Sequence, residues 1–221
     1  MNAQFHKLAP IIALRFMPNE FQRFLIADGY TTENLSNDAD LPDEVDKDNI
    51  TQNSEIHHAH SYKLESGDNG LHWIDGDALE RLKGLCADAH DFKAENKLDM
   101  LRYTLAKMTH YRVDALTYPH LHKGKPWSNY HAKFEDNLGA FLIKNQSKIQ
   151  EIVPNKYDDV YKACRKTAIK NWYDGLDYVG DLINDEKISD ETKLEICTEC
   201  IQGICDLWYT MSIDLKIIES R

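Results

Sequence analysis

The chain has 221 residues, 42% of them hydrophobic and 10% aromatic, enough to bury a core and incompatible with general disorder. Its formal charge of −11 excludes a duplex-DNA binder, because phosphate binding draws on clustered Lys and Arg. No run of about 20 apolar residues is available to cross a membrane as a helix.

The N-terminus, MNAQFHKLAPIIALRFMP, offers only a short apolar run, ending in Arg15, and no small-residue cleavage site, so it makes a poor signal peptide. As it stands the chain reads as cytoplasmic, or as a secreted or periplasmic mature form whose leader has been removed. In chain order the elements read as helices. His6 to about Ile26 carries an apolar face, with Pro10 tolerable only near the first turn. Residues 29–75 read as irregular, punctuated by Gly29, Asn34, Asn37, Pro42, Gly67 and Gly70. A loop of that length is functional or disordered, and DADLPDEVDKD and HHAH within it favour function. Asp77 to about Asn96 predicts a helix, and a second from about Lys97 runs through Leu98, Leu101, Leu105 and Met108 to Asp114. Pro119 then breaks the pattern. Further helices are expected from His131, over Tyr157–Tyr173, over Gly175–Asn184 and over Ser189–Ile218, with Ser189 as N-cap. No strand pattern extends beyond a few residues and no repeat occurs. The expectation is one all-α domain over residues 1–221, a multi-helix bundle with a long metal-binding loop region in its N-terminal third.

The cysteines, Cys86, Cys164, Cys197, Cys200 and Cys205, are odd in number and scattered, unlike a secreted disulfide framework. Cys197-x-x-Cys200 invites a zinc or redox reading. However, Leu194, Cys197, Ile201, Ile204, Trp208 and Met211 recur at steps of three and four, which predicts core-facing thiols on an amphipathic helix.

The chemistry concentrates between His110 and Glu135, in HYRVDALTYPHLHKGKPWSNYHAKFE. Its ligand-type residues are spaced His110-x3-Asp114-x5-His120-x10-His131-x3-Glu135. The pairs His110/Asp114 and His131/Glu135 stand at i,i+4, one turn apart on one helical face. Imidazole with carboxylate is a ligand mixture suited to zinc and similar divalent ions. Either pair alone could be a surface ion pair. These five, with His122 also in the segment, point to two adjacent metal sites.

This pattern, with Tyr111 after the first His, resembles the zinc-dependent phospholipase C and single-strand nuclease family of trinuclear zinc enzymes. In that family a His/Asp pair ends a long helix, a Pro-containing turn leads to the next His, and His-x3-Glu or His-x3-Asp begins the following helix. The resemblance implies three upstream ligands. His6 matches the first. Asp43 in LPDEV matches the second, with Asp46 as its rival. His60 in HHAHSY matches the third, ahead of His58 and His57. By analogy Asp43, His60, His110 and Asp114 would surround one ion. His120, His131 and Glu135 would hold a second, with Asp43 bridging toward it, and His6 with Asp114 a third. The chain departs from the family at the third site, which an N-terminal Trp usually completes. Here the chain begins Met1-Asn2, and the first Trp is Trp73.

What the resemblance implies is a zinc-dependent phosphoric ester hydrolase, phospholipase C-like or nuclease-like. Two zinc ions are expected, with the third dependent on substitute ligands. A metal-activated water would be the nucleophile and Asp43 the general base or orienting carboxylate. Substrates would be small phosphoesters, phospholipid headgroups or single-stranded nucleic acid, with Trp73, Trp127 and Tyr130 available for stacking. Two other readings compete. Tandem His90-Asp91 is the mark of HD-type metal phosphohydrolases, but that reading leaves His110, His120, His131 and Glu135 unexplained. A catalytically degenerate, metal-holding helical protein is the other.

Overall fold

The computed structural model describes residues 4–48, 63–67, 70–75, 78–117, 127–174 and 188–219. These form α1 (Gln4–Leu14), α2 (Asn19–Leu25), α3 (Thr32–Asp48), β1 (Lys63–Gly67), β2 (Gly70–Asp75), α4 (Ala78–Ala94), α5 (Leu98–Asp114), α6 (Trp127–Asn145), α7 (Val160–Asp174) and α8 (Asp190–Asp214). The fold is all-α with one small hairpin, and a single hydrophobic cluster runs from Phe5 on α1 to Ile218 beyond α8.

α5 is the central strut. It buries residues on every side, including Leu101, Leu105, Ala106, Met108, Tyr111 and Val113, as a helix enclosed by other helices must. It packs against α3, α4 and α8 and touches α1. The α4–α5 corner turns at Asn96, whose φ of 57° is left-handed. Lys97 N donates to Phe92 O and Asn96 N to Lys93 O, the paired bonds of a Schellman ending. α8 begins as its sequence requires, with Ser189 accepting from Thr192 N at 3.0 Å. Ile201, Ile204, Trp208 and Met211 are buried on its inner face, and Trp208 donates to Leu105 O on α5 at 2.9 Å.

Three expectations need correction. The helix expected from His6 to Ile26 is two helices, broken at residues 15–18, where Pro18 precedes α2. Pro10 lies inside α1, seventh of its residues, and has no N–H to offer the His6 carbonyl one turn earlier.

The irregular stretch expected over 29–75 contains a 17-residue helix, α3, and a hairpin. α3 is started by a reciprocal cap. Asn34 N donates to Thr31 Oγ1 at 3.2 Å and Thr31 N donates to Asn34 Oδ1 at 2.9 Å. Leu35 and Ala39, both fully buried, supply the packing that carries this acidic helix past Pro42. In the hairpin Leu64 is opposite Trp73 and Gly67 opposite Gly70.

The third correction is that α6 begins at Trp127, one turn before His131. The helix expected over Gly175–Asn184 lies outside the described residues.

Candidate metal centre

The two residues that α5 was expected to deliver at its C-terminal end are there, and both are buried. His110 is 1% exposed and Asp114 is 0%. His6, on the first turn of α1, is 2% exposed. The ligand atoms of His6, His110 and Asp114 all lie within 4.8 Å of one another, in the one such metal-capable group among the described residues.

Asp114 directs one carboxylate oxygen toward each of the two imidazoles. Its Oδ1 is 3.6 Å from His6 Nε2, and its Oδ2 is 3.7 Å from His110 Nε2. Both separations exceed hydrogen-bond length. They match the edge of a metal polyhedron: two ligands about 2.1 Å from a tetrahedral zinc lie about 3.4 Å apart. The two rings are stacked, with centroids 3.8 Å apart and planes 14° from parallel. From α6, Glu135 brings Oε1 to 3.2 Å from His6 Nε2, and it too is buried, 4% exposed.

The backbone of α3 sets the tautomer of His110. Its Nδ1 lies 2.9 Å from Ala39 O. A carbonyl can only accept, so Nδ1 carries the proton, and Nε2 is the ring nitrogen that faces Asp114 and could offer a lone pair to an ion. Nε2 and the Asp114 carboxylate face each other across 3.7 Å, a pairing that a shared cation could bridge. An outer partner fixing one ring nitrogen while the other faces the ion is the usual support of a histidine ligand. Two buried carboxylates beside two imidazoles are costly to hold in a core unless a positive charge is shared among them.

Four of the expected ligands, His6, His110, Asp114 and Glu135, are therefore brought together from α1, α5 and α6. Their grouping differs from the family's allocation in two respects, the first being that His6, allotted to the third ion, shares one metal-capable group with His110, allotted to the first. Glu135, allotted to the second ion, touches His6, allotted to the third, so those two positions abut. Asp43 lies on α3, four residues past Ala39, and Asp46 a turn further; His131 lies on α6, four residues before Glu135. The side chains of these three, with His57, His58, His60 and His120, lie outside the described residues. Trp73, Trp127 and Tyr130 are likewise placed by backbone alone.

His90 and Asp91 are exposed on α4 and belong to no metal-capable group of described residues. All five cysteines are free thiols. Cys197 and Cys200 are fully buried in the core, and burial pushes the Cys197 thiol up to about 12 and Cys200 well above its ordinary range. They are core residues, as their helical spacing predicts.

Two features were not read from the sequence. The Ala39 carbonyl has no side-chain signature. Asp40 lies in the acidic run DADLPDEVDKD but was not singled out; it is 6% exposed, and its Oδ2 meets Lys7 Nζ at 3.3 Å and ties α3 to α1 beside His6. In comparisons with known proteins the chain matches no family model, no curated protein and no solved structure.

Proposed function

We propose that this protein is a divalent-metal-dependent phosphoesterase with its ion, zinc by ligand chemistry, seated on His6, His110 and Asp114 and Glu135 close by. The observation that carries the reading is Asp114. A fully buried carboxylate turns one oxygen toward each of two histidines at separations suited to ligation and too long for hydrogen bonds. The resemblance to the zinc-dependent phospholipase C and single-strand nuclease family supports it, since His6, His110, Asp114 and Glu135 each match a ligand of that pattern.

A bound divalent ion supplies Lewis-acid stabilisation of phosphate oxygens and acidifies a water for attack on phosphorus. The chain's own part is to hold neutral imidazoles and ionised carboxylates in a dry, rigid site. His110 does so through Ala39, and His6 through its place between Asp114 and Glu135. Asp43, His60, His120 and His131 complete the proposed ligand set, with Asp43 as the base. Small phosphodiesters, phospholipid headgroups and single-stranded nucleic acid are the substrate classes that fit the reading.

Elemental analysis of the purified protein, with a panel of phosphodiester substrates assayed after zinc is added back, tests it. Bound zinc with metal-dependent hydrolysis is the expected result. Bound zinc without hydrolysis of any substrate would favour the degenerate metal-holding protein, and protein that takes up no divalent ion would refute both.

A further inference from the structure

A histidine on the first turn of the first helix must be held in register with the end of α5, and the contact that holds it is on α6. Gly139 is buried there, four residues past Glu135 and so on the same helical face. A Cβ at this position would lie 3.0 Å from Gln4 Cβ, 3.0 Å from Phe5 N and 3.3 Å from Gln4 C. Two of those three atoms are backbone and cannot rotate away. On its other side the same turn is tied to α3 by Lys7 and Asp40, and Phe5 is wholly buried.

We infer that Gly139 is a positioning residue for the metal centre: its missing side chain lets α1 approach α6 closely enough for His6 to stand between Asp114 and Glu135. The inference rests on the metal-binding reading and adds a residue that carries no ligand chemistry. Ordinary van der Waals contact for a Cβ begins at 3.4 Å, so a methyl group at 139 displaces Gln4 and Phe5 by a few tenths of an ångström. Metal–ligand distances hold to within about 0.2 Å. His6 follows Phe5 directly on that turn and moves with it. Loss of the outer hydrogen-bond partners of metal ligands costs about 10–100-fold in affinity, and displacement of a ligand's own turn is expected to register on that scale.

A competition titration with Zn2+ against a chromophoric chelator, on wild type, Gly139→Ala, His6→Ala and the double variant, decides the matter. Gly139→Ala is expected to weaken one zinc equivalent by about tenfold or more, and to cause no further loss once His6 is Ala. Gly84→Ala, at a helical glycine with nothing within 4 Å, serves as the control and leaves affinity unchanged. Wild-type affinity in Gly139→Ala, or an equal loss in the His6→Ala background, overturns the inference while leaving the metal reading intact. Should Gly139→Ala fail to fold by circular dichroism, Gln4→Ile takes its place in the same cycle. It branches the side chain on the opposite side of this contact at an exposed position, and unchanged affinity there is equally fatal. A wild type that takes up no zinc overturns the metal reading itself, and this inference with it.

Discussion

His6 and His110 lie face to face, ring centroids 3.8 Å apart, with the carboxylate of Asp114 reaching the Nε2 of each. Asp114 is the member common to both contacts, so the three residues are not equivalent. Asp114→Asn removes the charge that faces both imidazoles, whereas His6→Ala removes one ligand. Asp114→Asn should therefore lose more bound metal than His6→Ala, with His110→Ala between them or equal to Asp114→Asn. Elemental analysis of the three variants checks the order, and full metal content in His110→Ala would refute the site.

Metal removal should register as lost stability, because an ion bound only by the folded chain adds its binding free energy to folding. At a free zinc concentration 100-fold above Kd the gain is about 2.7 kcal/mol. For a chain of this length that corresponds to about 5–10 °C in Tm. A thermal melt before and after chelation, with zinc restored, should show the fall and its reversal. A Tm indifferent to chelator and to zinc would contradict a metal in this core.

How much of this was legible in the sequence divides along contact range. His110 and Asp114 could be paired because both sit on one helix and the spacing alone places them on one face. Glu135 beside His6 could not, since that contact depends on how α1 crosses α6, and Gly139, which permits the crossing, has no side chain to notice. α3 was missed for a different reason. Its Asp- and Asn-rich sequence and Pro42 read as punctuation, while buried Leu35 and Ala39 supply the packing that overrides weak propensity. The signal available was Thr31-x-x-Asn34, a reciprocal cap of the kind that starts a helix.

At the first turn of α8, Ser189 Oγ accepts from Thr192 N at 3.0 Å and also pairs with Thr192 Oγ1 at 2.9 Å. Ser189→Ala should cost about 1 kcal/mol and lower Tm by about 2–4 °C. Ser189→Gly should cost only a few tenths of a kcal/mol. Denaturant unfolding with an unchanged m-value would show that the effect is on stability alone, and equal losses in the two variants would refute the cap as its source.

Alkaline pH should unfold this protein through its thiols. Burial lifts Cys197 from 9.0 to about 12. Below pH 9 both folded and unfolded chains hold that proton, so the contribution is fully present. Above pH 9 the unfolded thiol ionises and the folded one does not, so stability falls as pH rises toward 12. The loss is about 1.4 kcal/mol per pH unit for each such thiol. Urea titrations at pH 8 and pH 10.5 should give a smaller difference for Cys197→Ala than for wild type. An identical pH slope in the two would rule the thiol out.

The register of α3 bears on the rivalry between Asp43 and Asp46. His110 is tied to this helix at the Ala39 carbonyl, which fixes where the metal centre lies along its axis. Asp43 is four residues further on, a rise of about 6 Å, and Asp46 is seven, a rise of about 10 Å. Of the two, Asp43 is on the turn nearer Ala39, which favours it as the carboxylate that would share an ion with the neighbours of His110. Asp43→Asn should thus abolish phosphodiester hydrolysis and lower metal content while leaving the helical circular dichroism signal in place. Asp46→Asn, one turn further from the Ala39 carbonyl, should change neither activity nor metal content measurably. If Asp46→Asn is the inactive variant and Asp43→Asn the silent one, α3 meets the centre one turn further along than Ala39 indicates, and the base assigned to Asp43 moves with it.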